Sequence, residues 1–233
     1  MRLWIWILQT LWFQQQAAQD QLVIPVCIVS GSQGNQVYDF VSDASLHKFV
    51  SPYVSLERVQ YKPNDLVDLT WYVSIRGGQW TLREPAAAAL AALSQAFYDQ
   101  FHRPLTVISS YRGFNVQKRL LGWYSDEYGT GRASSFSAKP WHSEHQLGLA
   151  VDLINIPTNP EVYGGYESYF DWMRNNAHLY WWTQSYQKGK KVDGYIVEPR
   201  HRRYVGVDLA TYLRGNKMTF SEYVTFRNTR RNN

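Results

Sequence analysis

The chain has 233 residues, of which 45% are hydrophobic and 16% aromatic, so it can bury a substantial core, and no second large domain or internal repeat is visible. Its formal net charge is +5 and its pI is about 9.2. Three of the arginines lie in the C-terminal stretch RNTRRNN and the other basic residues are scattered, which argues against a nucleic-acid-binding surface and suits an anionic cell wall.

The N-terminal segment has the pattern of a signal peptide. MRLWIWILQTLWF carries one positive charge and then an apolar run of about eleven residues, which is too short to span a membrane. We predict a signal peptide at residues 1–19, with export to the periplasm or cell envelope or secretion, and only transient membrane association; an uncleaved anchor or a buried segment are the alternatives. Cys27 is the only cysteine, so no internal disulfide exists, and we expect a buried thiol.

The remaining pattern predicts an α+β fold in a single catalytic domain, with a small antiparallel sheet flanked by helices. We predict a spacer or accessory segment at 20–58, the domain at 59–226 and a frayed polar tail at 227–233. The predicted elements are, in chain order, an Ala-rich helix at 84–101, a strand at 104–110, a helix from Phe114 to about Glu127, a loop at 129–143, a helix at 166–177, a polar turn at 187–194, a strand at 195–197 and a C-terminal helix capped by Thr219 and Glu222.

Two short segments, SEHQLGLAVD at 143–152 and EPRH at 198–201, carry the chemistry. They offer His145, Asp152 and His201 as metal ligands, with Glu198 as a further carboxylate. A single histidine is more often a packed or solvated residue than a ligand, but catalytic zinc is typically held by about three N or O ligands, and a neighbouring carboxylate can take a proton from water. The set therefore favours a hydrolytic zinc site with one ion per chain, although it can accept other divalent ions.

The spacing within each segment indicates how the ligands are presented. As a strand, LGLAVDLI sends Leu149, Val151 and Leu153 to one face and Asp152 to the other, beside small residues that leave room for an ion. A straight strand would place positions 198 and 201 on opposite faces, so we predict a bend or bulge near Pro199.

At these residues the chain resembles the zinc D-alanyl-D-alanine carboxypeptidases of the VanY type, whose relatives include VanX dipeptidases, L,D-carboxypeptidases and some phage endolysins. The signature of that family is SxHxxGxAxD followed by ExxH. SSYRGFNVQ at 109–117, YKPNDLV at 61–67 and EPRHRRYVG at 198–206 match its SxYRsxxxQ, upstream and EPWHxRYVG motifs. The resemblance spans about residues 59–224, and the motifs together are highly specific.

The resemblance implies that His145, Asp152 and His201 bind zinc and that Glu198 is the general base that activates water. It also implies that Arg112 stabilises the oxyanion that develops on the scissile carbonyl. Taken without the resemblance, Arg112 would more simply be part of a surface salt bridge.

Three further residues are predicted to contact substrate. Ser143 matches the serine that helps to hold the terminal carboxylate of the substrate, and Gln117 matches a polar residue that lines the pocket. Tyr111, at the end of the same strand as Arg112, completes this predicted group. On its own, Ser143 would be interpreted as a turn or cap hydroxyl.

Two departures from the family pattern bear on selectivity. Trp141 stands where glycine is usual and could narrow the mouth of the site or stack on a sugar or peptide. Arg200 stands where tryptophan is common and could bind an acidic group. The simpler interpretation is that both only pack or solvate the rim. His142, next to Ser143, has the wrong place in the motif to be a ligand.

We therefore predict a monomeric zinc metallopeptidase that removes the C-terminal D-alanine from peptidoglycan stem peptides. An L,D-carboxypeptidase or a peptidoglycan endopeptidase of the same family is the first alternative. A non-catalytic, zinc-stabilised binding module is the alternative from another class, but such a module would need neither a base nor an oxyanion clamp.

Overall fold

The computed structural model describes residues 38–76, 78, 80–154 and 167–231. The predicted signal peptide, Cys27 and most of the predicted spacer lie outside the described residues. Among the residues that are described, no helix is long and apolar enough to cross a membrane.

A five-stranded sheet in the order β2-β4-β5-β7-β6 forms the centre of the fold, and β1 and β3 form a separate antiparallel pair. The strands are β1 (Leu66–Asp68), β2 (Ser74–Ile75), β3 (Thr81–Arg83), β4 (Thr106–Ser109), β5 (Ala150–Ile154), β6 (Trp182–Thr183) and β7 (His201–Tyr204). The helices are α1 (Glu84–Phe101), α2 (Phe114–Tyr128), α3 (Thr130–Ala133), α4 (Glu167–Asn176), α5 (Lys190–Asp193), α6 (Val207–Gly215) and α7 (Phe220–Arg231), with 3-10 turns at Glu144–Leu147 and Ala177–Tyr180. The α+β class is confirmed; the one departure from an antiparallel sheet is that β2 runs parallel to β4.

Helix α1 has the predicted bounds, with Pro85 in its first turn, where its missing N–H is not needed. Its buried alanine and leucine side chains and Phe97 belong to the same core as the inward side chains of the sheet. Leu149, Val151 and Leu153 are fully buried in that core, as the alternation predicted. The strand therefore turns Asp152 toward the opposite side, which is what positions the site.

Residues 38–58 pack onto the rest of the fold. Phe49 contacts Phe220 of α7 edge to face, and Val50 and Leu56 are buried in the core. The buried guanidinium of Arg203 in β7 donates to the carbonyl oxygens of Leu46 and Lys48. This segment therefore covers one end of the sheet.

The structure corrects several predicted elements. Tyr195–Val197 was predicted to be a strand, but the N–H of Ile196 donates to the carbonyl of Ser135 in a loop, so the segment joins no sheet. The predicted loop at 129–143 and the polar turn at 187–194 contain the short helices α3 and α5. Helix α6 was not predicted at all.

The C-terminal helix begins with the predicted capping box. The N–H of Thr219 donates to the Glu222 carboxylate at 2.8 Å, and the N–H of Glu222 donates to the Thr219 hydroxyl at 3.2 Å. The helix then continues to Arg231, so the predicted frayed tail at 227–233 is helical as far as that residue.

The turn that leads from the 3-10 segment Glu144–Leu147 into β5 requires glycine. Gly148 has φ +66°, and a Cβ atom there would lie 2.9 Å from Leu66 Cδ2. We expect Gly148→Ala to lower the free energy of unfolding by about 1–3 kcal/mol in urea denaturation, because a left-handed residue with a side chain is strained.

The matched control for this substitution is Gly122→Ala in α2. A Cβ atom at Gly122 meets nothing within 4 Å, so alanine should be neutral or stabilising there. Equal effects of the two substitutions would contradict the role of the turn.

Candidate metal and catalytic site

The three predicted metal ligands converge at one end of the central sheet. Asp152 in β5 and His201 in β7 are direct partners in the antiparallel register. His145 reaches the same point from the 3-10 turn that precedes β5. One possible ligand atom from each of the three side chains lies within 4.8 Å of the others.

The ring of His145 is held in one orientation by the backbone. Its Nδ1 lies 2.6 Å from the carbonyl oxygen of Ser110, which can only accept, so Nδ1 carries the proton. Its Nε2 then faces Asp152 Oδ2 at 3.3 Å with its lone pair available. Ligating histidines commonly have the other ring nitrogen bonded to a carbonyl or carboxylate in this way.

His201 is oriented by a residue that the sequence analysis missed. Its Nε2 lies 2.7 Å from Oε2 of Glu144, which is only 3% exposed, and its Nδ1 lies 3.1 Å from Asp152 Oδ1. Ser185 also donates to the Glu144 carboxylate. Glu144 thus fixes the orientation of the His201 ring, with Nε2 bound to the carboxylate and Nδ1 facing the metal position. The position of Glu144 between Ser143 and His145 in the motif was the signal from which its role could have been predicted.

The surroundings of Asp152 and His145 favour the protonation states in which these two side chains bind a metal. Burial would raise the pKa of Asp152, but His145, His201 and Arg112 hold it well below its usual value. Burial and the charge of Arg112 lower the pKa of His145 to about 4, so its ring is neutral at pH 7.

Burial would also lower the pKa of His201, but its hydrogen bonds to Asp152 and Glu144 raise it to about 9. Metal binding at neutral pH must therefore displace a proton from this ring. Two imidazoles and one carboxylate with oriented partners are a donor set that fits zinc.

Glu198 lies on the wall of the same cavity, as the predicted bend requires. Residues 199–200 form a turn immediately before β7, so Glu198 and His201 reach one site despite their spacing. Burial and the charge of Asp152 raise the pKa of Glu198, whereas His201, Arg200 and Arg112 oppose the rise. A carboxylate with a raised pKa is a better proton acceptor near neutral pH.

Arg112 is fixed beside the metal position by several hydrogen bonds. Its Nη1 donates to Ser109 Oγ at 2.6 Å and lies 3.3 Å from Asp152 Oδ2. Its Nε donates to Gln117 Oε1 at 3.1 Å, and Gln117 Nε2 donates to the carbonyl of Ala138. Gln117 is fully buried behind Arg112 and does not line the cavity, so its contacts position the guanidinium rather than reach the cavity.

The other predicted residues divide between the cavity and the core. Ser143 and Tyr111 line the cavity, whose volume is about 720 Å³, and Ser143 Oγ also accepts from the N–H of His145. Arg200 lines it too, with Nη2 3.6 Å from Glu198 Oε1. Trp141 does not line it; its ring stacks on Phe114 at 5.6 Å, which agrees with the packing interpretation.

The model of the VanY D-alanyl-D-alanine carboxypeptidase family matches residues 79–207, which is more than half of the chain and contains every residue of the site. The chain belongs to the VanY family. The match confirms the resemblance that the sequence motifs indicated.

Individual similar proteins agree with this assignment. The chain is 32% identical over 168 residues to the putative carboxypeptidase YodJ of Bacillus subtilis. This match covers 70% of this chain and 61% of YodJ. The structure of the LdcB LD-carboxypeptidase is 27% identical, with a TM-score of 0.67, and the match covers 78% of this chain and 87% of that one.

A structure of the vancomycin resistance D,D-pentapeptidase VanY in complex with Zn(II) has a TM-score of 0.62 and 22% identity, covering 76% of this chain and 97% of that one. At this identity the likeness shows the fold alone. The fold of the chain is thus shared by one protein that is named an LD-carboxypeptidase and by another that is named a D,D-pentapeptidase.

Proposed function

We propose that this chain is an exported, zinc-dependent D-alanyl-D-alanine carboxypeptidase that removes the C-terminal D-alanine from peptidoglycan stem peptides. The observation that carries the proposal is the convergence of a metal-binding triad, Glu198 and Arg112 on one cavity. A module that used zinc for structure alone would need neither of the last two groups.

The residues divide the reaction between them. His145, Asp152 and His201 would hold zinc, which when bound would supply a Lewis acid that polarises the scissile carbonyl and acidifies water. Glu198 accepts the proton of the attacking water, and the resulting acid returns it to the departing amine nitrogen. The guanidinium of Arg112 donates to the carbonyl oxygen as negative charge develops there.

The terminal carboxylate of the substrate needs a hydrogen-bond donor within the cavity. Ser143 and Tyr111 both line the cavity and carry hydroxyl groups that can donate to it. Arg200 adds a cation on the same wall, where it can bind an acidic group of the stem peptide.

The choice between D,D and L,D cleavage is tested by incubating purified pentapeptide and tetrapeptide muropeptides with the zinc-loaded enzyme and analysing the products by mass spectrometry. Loss of one alanine from the pentapeptide alone supports the proposal. Loss from the tetrapeptide would favour the L,D activity that the name of LdcB carries. Cleavage inside the stem would replace both with an endopeptidase.

Glu144 should matter for zinc although it does not line the cavity. We expect Glu144→Gln to weaken zinc binding by about 10–100-fold, because a neutral amide fixes the His201 ring less firmly than a buried carboxylate. Competition with a chromogenic chelator measures this affinity. The control is Glu127→Gln on the exposed surface of α2, which should leave the affinity unchanged, and equal affinities of the three proteins would contradict the role of Glu144.

Arg200 should lower the pH at which activity is lost on the acid side. Its charge opposes the rise in the pKa of Glu198, so Arg200→Gln should raise that pKa further. Because the base must be ionised, the acid limb of the kcat/KM profile should move to higher pH. The comparison is made between two zinc-loaded enzymes, since the metal itself also lowers the pKa of the carboxylate. A shift to lower pH would contradict this coupling.

A further inference from the structure

A second cavity of about 280 Å³ lies on the other side of β7 from the zinc site. It is bounded by residues of α4, the 3-10 turn Ala177–Tyr180, β6, β7 and α6 and by the loops that follow β6 and α6. No aspartate or glutamate is among its lining residues within the described part of the chain. Its basic residues are Arg174, His178, Lys188, Arg202, Arg214 and Lys217.

Arg202 is the deepest of these cations. It follows His201 in β7, so its side chain points to the opposite face of the sheet, away from the metal ligands. Only 2% of Arg202 is exposed, and its Nε and Nη2 atoms have no hydrogen-bond partner in the part of the chain that the structure describes. A buried guanidinium with two unpartnered nitrogens is costly, so a site built in this way favours an anionic ligand.

Other residues that line the same cavity carry buried polar atoms without a partner. Trp182 is fully buried in β6, and its indole Nε1, which can only donate, has no acceptor among the described residues. His178 Nδ1 is likewise buried without a partner there. These groups and Arg202 can together donate several hydrogen bonds to one ligand.

The rim of the cavity keeps an excess of positive charge. Lys188 pairs with Glu222, and Arg174 pairs with Asp171, so these two cations are already compensated. Arg214 donates to the neutral side chain of Asn175 at 2.7 Å. For Lys217, as for Arg214, the described residues supply no carboxylate partner.

We propose that this cavity binds a phosphate-type oxyanion. The tetrahedral oxygens of phosphate can accept from Arg202 and Trp182 at the base while Arg214 and Lys217 approach from the rim. The volume is small for a peptide or nucleotide site, so the ligand is free phosphate or one phosphate group of a larger polymer. Position 202 is the variable position of the EPWHxRYVG motif, so the family motif does not require an arginine there.

The test is titration calorimetry of the zinc-loaded protein with inorganic phosphate and, in a second arm, with a short glycerol phosphate polymer, at constant ionic strength set with chloride. We expect saturable binding that Arg202→Gln weakens by about 10-fold or more. Phosphate held at the zinc ion would survive this substitution, and zinc content is measured in each variant. Tighter binding of the polymer would identify a polymer-borne phosphate as the ligand; equal or tighter binding of inorganic phosphate would identify the free ion.

Two further variants keep the test decisive if Arg202→Gln does not fold. Arg214 and Lys217 are exposed, and replacing both with glutamine should weaken binding about 3-fold or more. Arg103→Gln removes the same kind of charge from an exposed position outside the cavity and should change nothing. The proposal is overturned if the wild-type protein shows no saturable binding in either arm, or if the cavity variants bind as tightly as Arg103→Gln.

Discussion

Replacing Glu198 with glutamine is expected to lower kcat by about 10²–10⁴-fold and to leave one zinc ion bound per chain. The amide has nearly the same shape as the carboxylate but cannot accept a proton from water. Glu198 is also not among the residues whose ligand atoms cluster at the metal position, so removing its charge does not remove a ligand. Alanine release from a pentapeptide and metal content by mass spectrometry measure the two quantities.

Glu127→Gln provides the matched control, because Glu127 lies on the exposed surface of α2. It should keep the rate and the zinc content of the parent enzyme. Wild-type turnover in Glu198→Gln would show that another group is the base. Loss of zinc from Glu198→Gln would instead show that the carboxylate is a ligand.

Replacing His201 with alanine should remove both zinc and turnover and should also destabilise the fold. The substitution deletes a ligand and leaves Glu144, which is buried, without its imidazole partner at 2.7 Å. Glu144 keeps Ser185 and an Arg203 Nη1 atom at 3.6 Å, so we expect a loss of about 2–4 kcal/mol in the free energy of unfolding, measured in urea on the metal-free proteins.

Two other histidines separate these effects. His145→Ala should lose zinc and turnover but lose less stability, because its ring bonds to the Ser110 carbonyl and the Asp152 carboxylate that it faces keeps Arg112 and His201 as partners. His142→Ala should retain zinc and turnover, since its Nδ1 contacts the Ser51 carbonyl and its ring does not line the cavity. Zinc loss from His142→Ala together with its retention in His145→Ala would contradict the ligand set.

The features that depend on local sequence were predictable. The alternation in LGLAVDLI placed Leu149 and Val151 in the core and Asp152 toward the site, because the side-chain period of a strand is two. The bounds of α1 followed from its run of alanines. The capping box of Thr219 and Glu222 predicted the start of α7.

The features that depend on contacts between distant parts of the chain were not predictable. Glu144 and His201 are 57 residues apart, and only the fold shows that the first orients the second. Tyr195–Val197 has the composition of a strand, but the N–H of Ile196 donates to the carbonyl of Ser135 in a turn rather than to another strand. The burial of Gln117 behind Arg112 likewise depends on the loop that carries Ala138.

We expect this chain to be a carboxypeptidase only when His145, Asp152 and His201 hold zinc. The most direct measurement strips the purified protein with a chelator, adds back one equivalent of zinc and follows release of the terminal alanine from a pentapeptide muropeptide. We predict no release from the stripped protein and full recovery at one equivalent. Undiminished release by the stripped protein, or no release after zinc is restored to a correctly folded chain, would contradict the account.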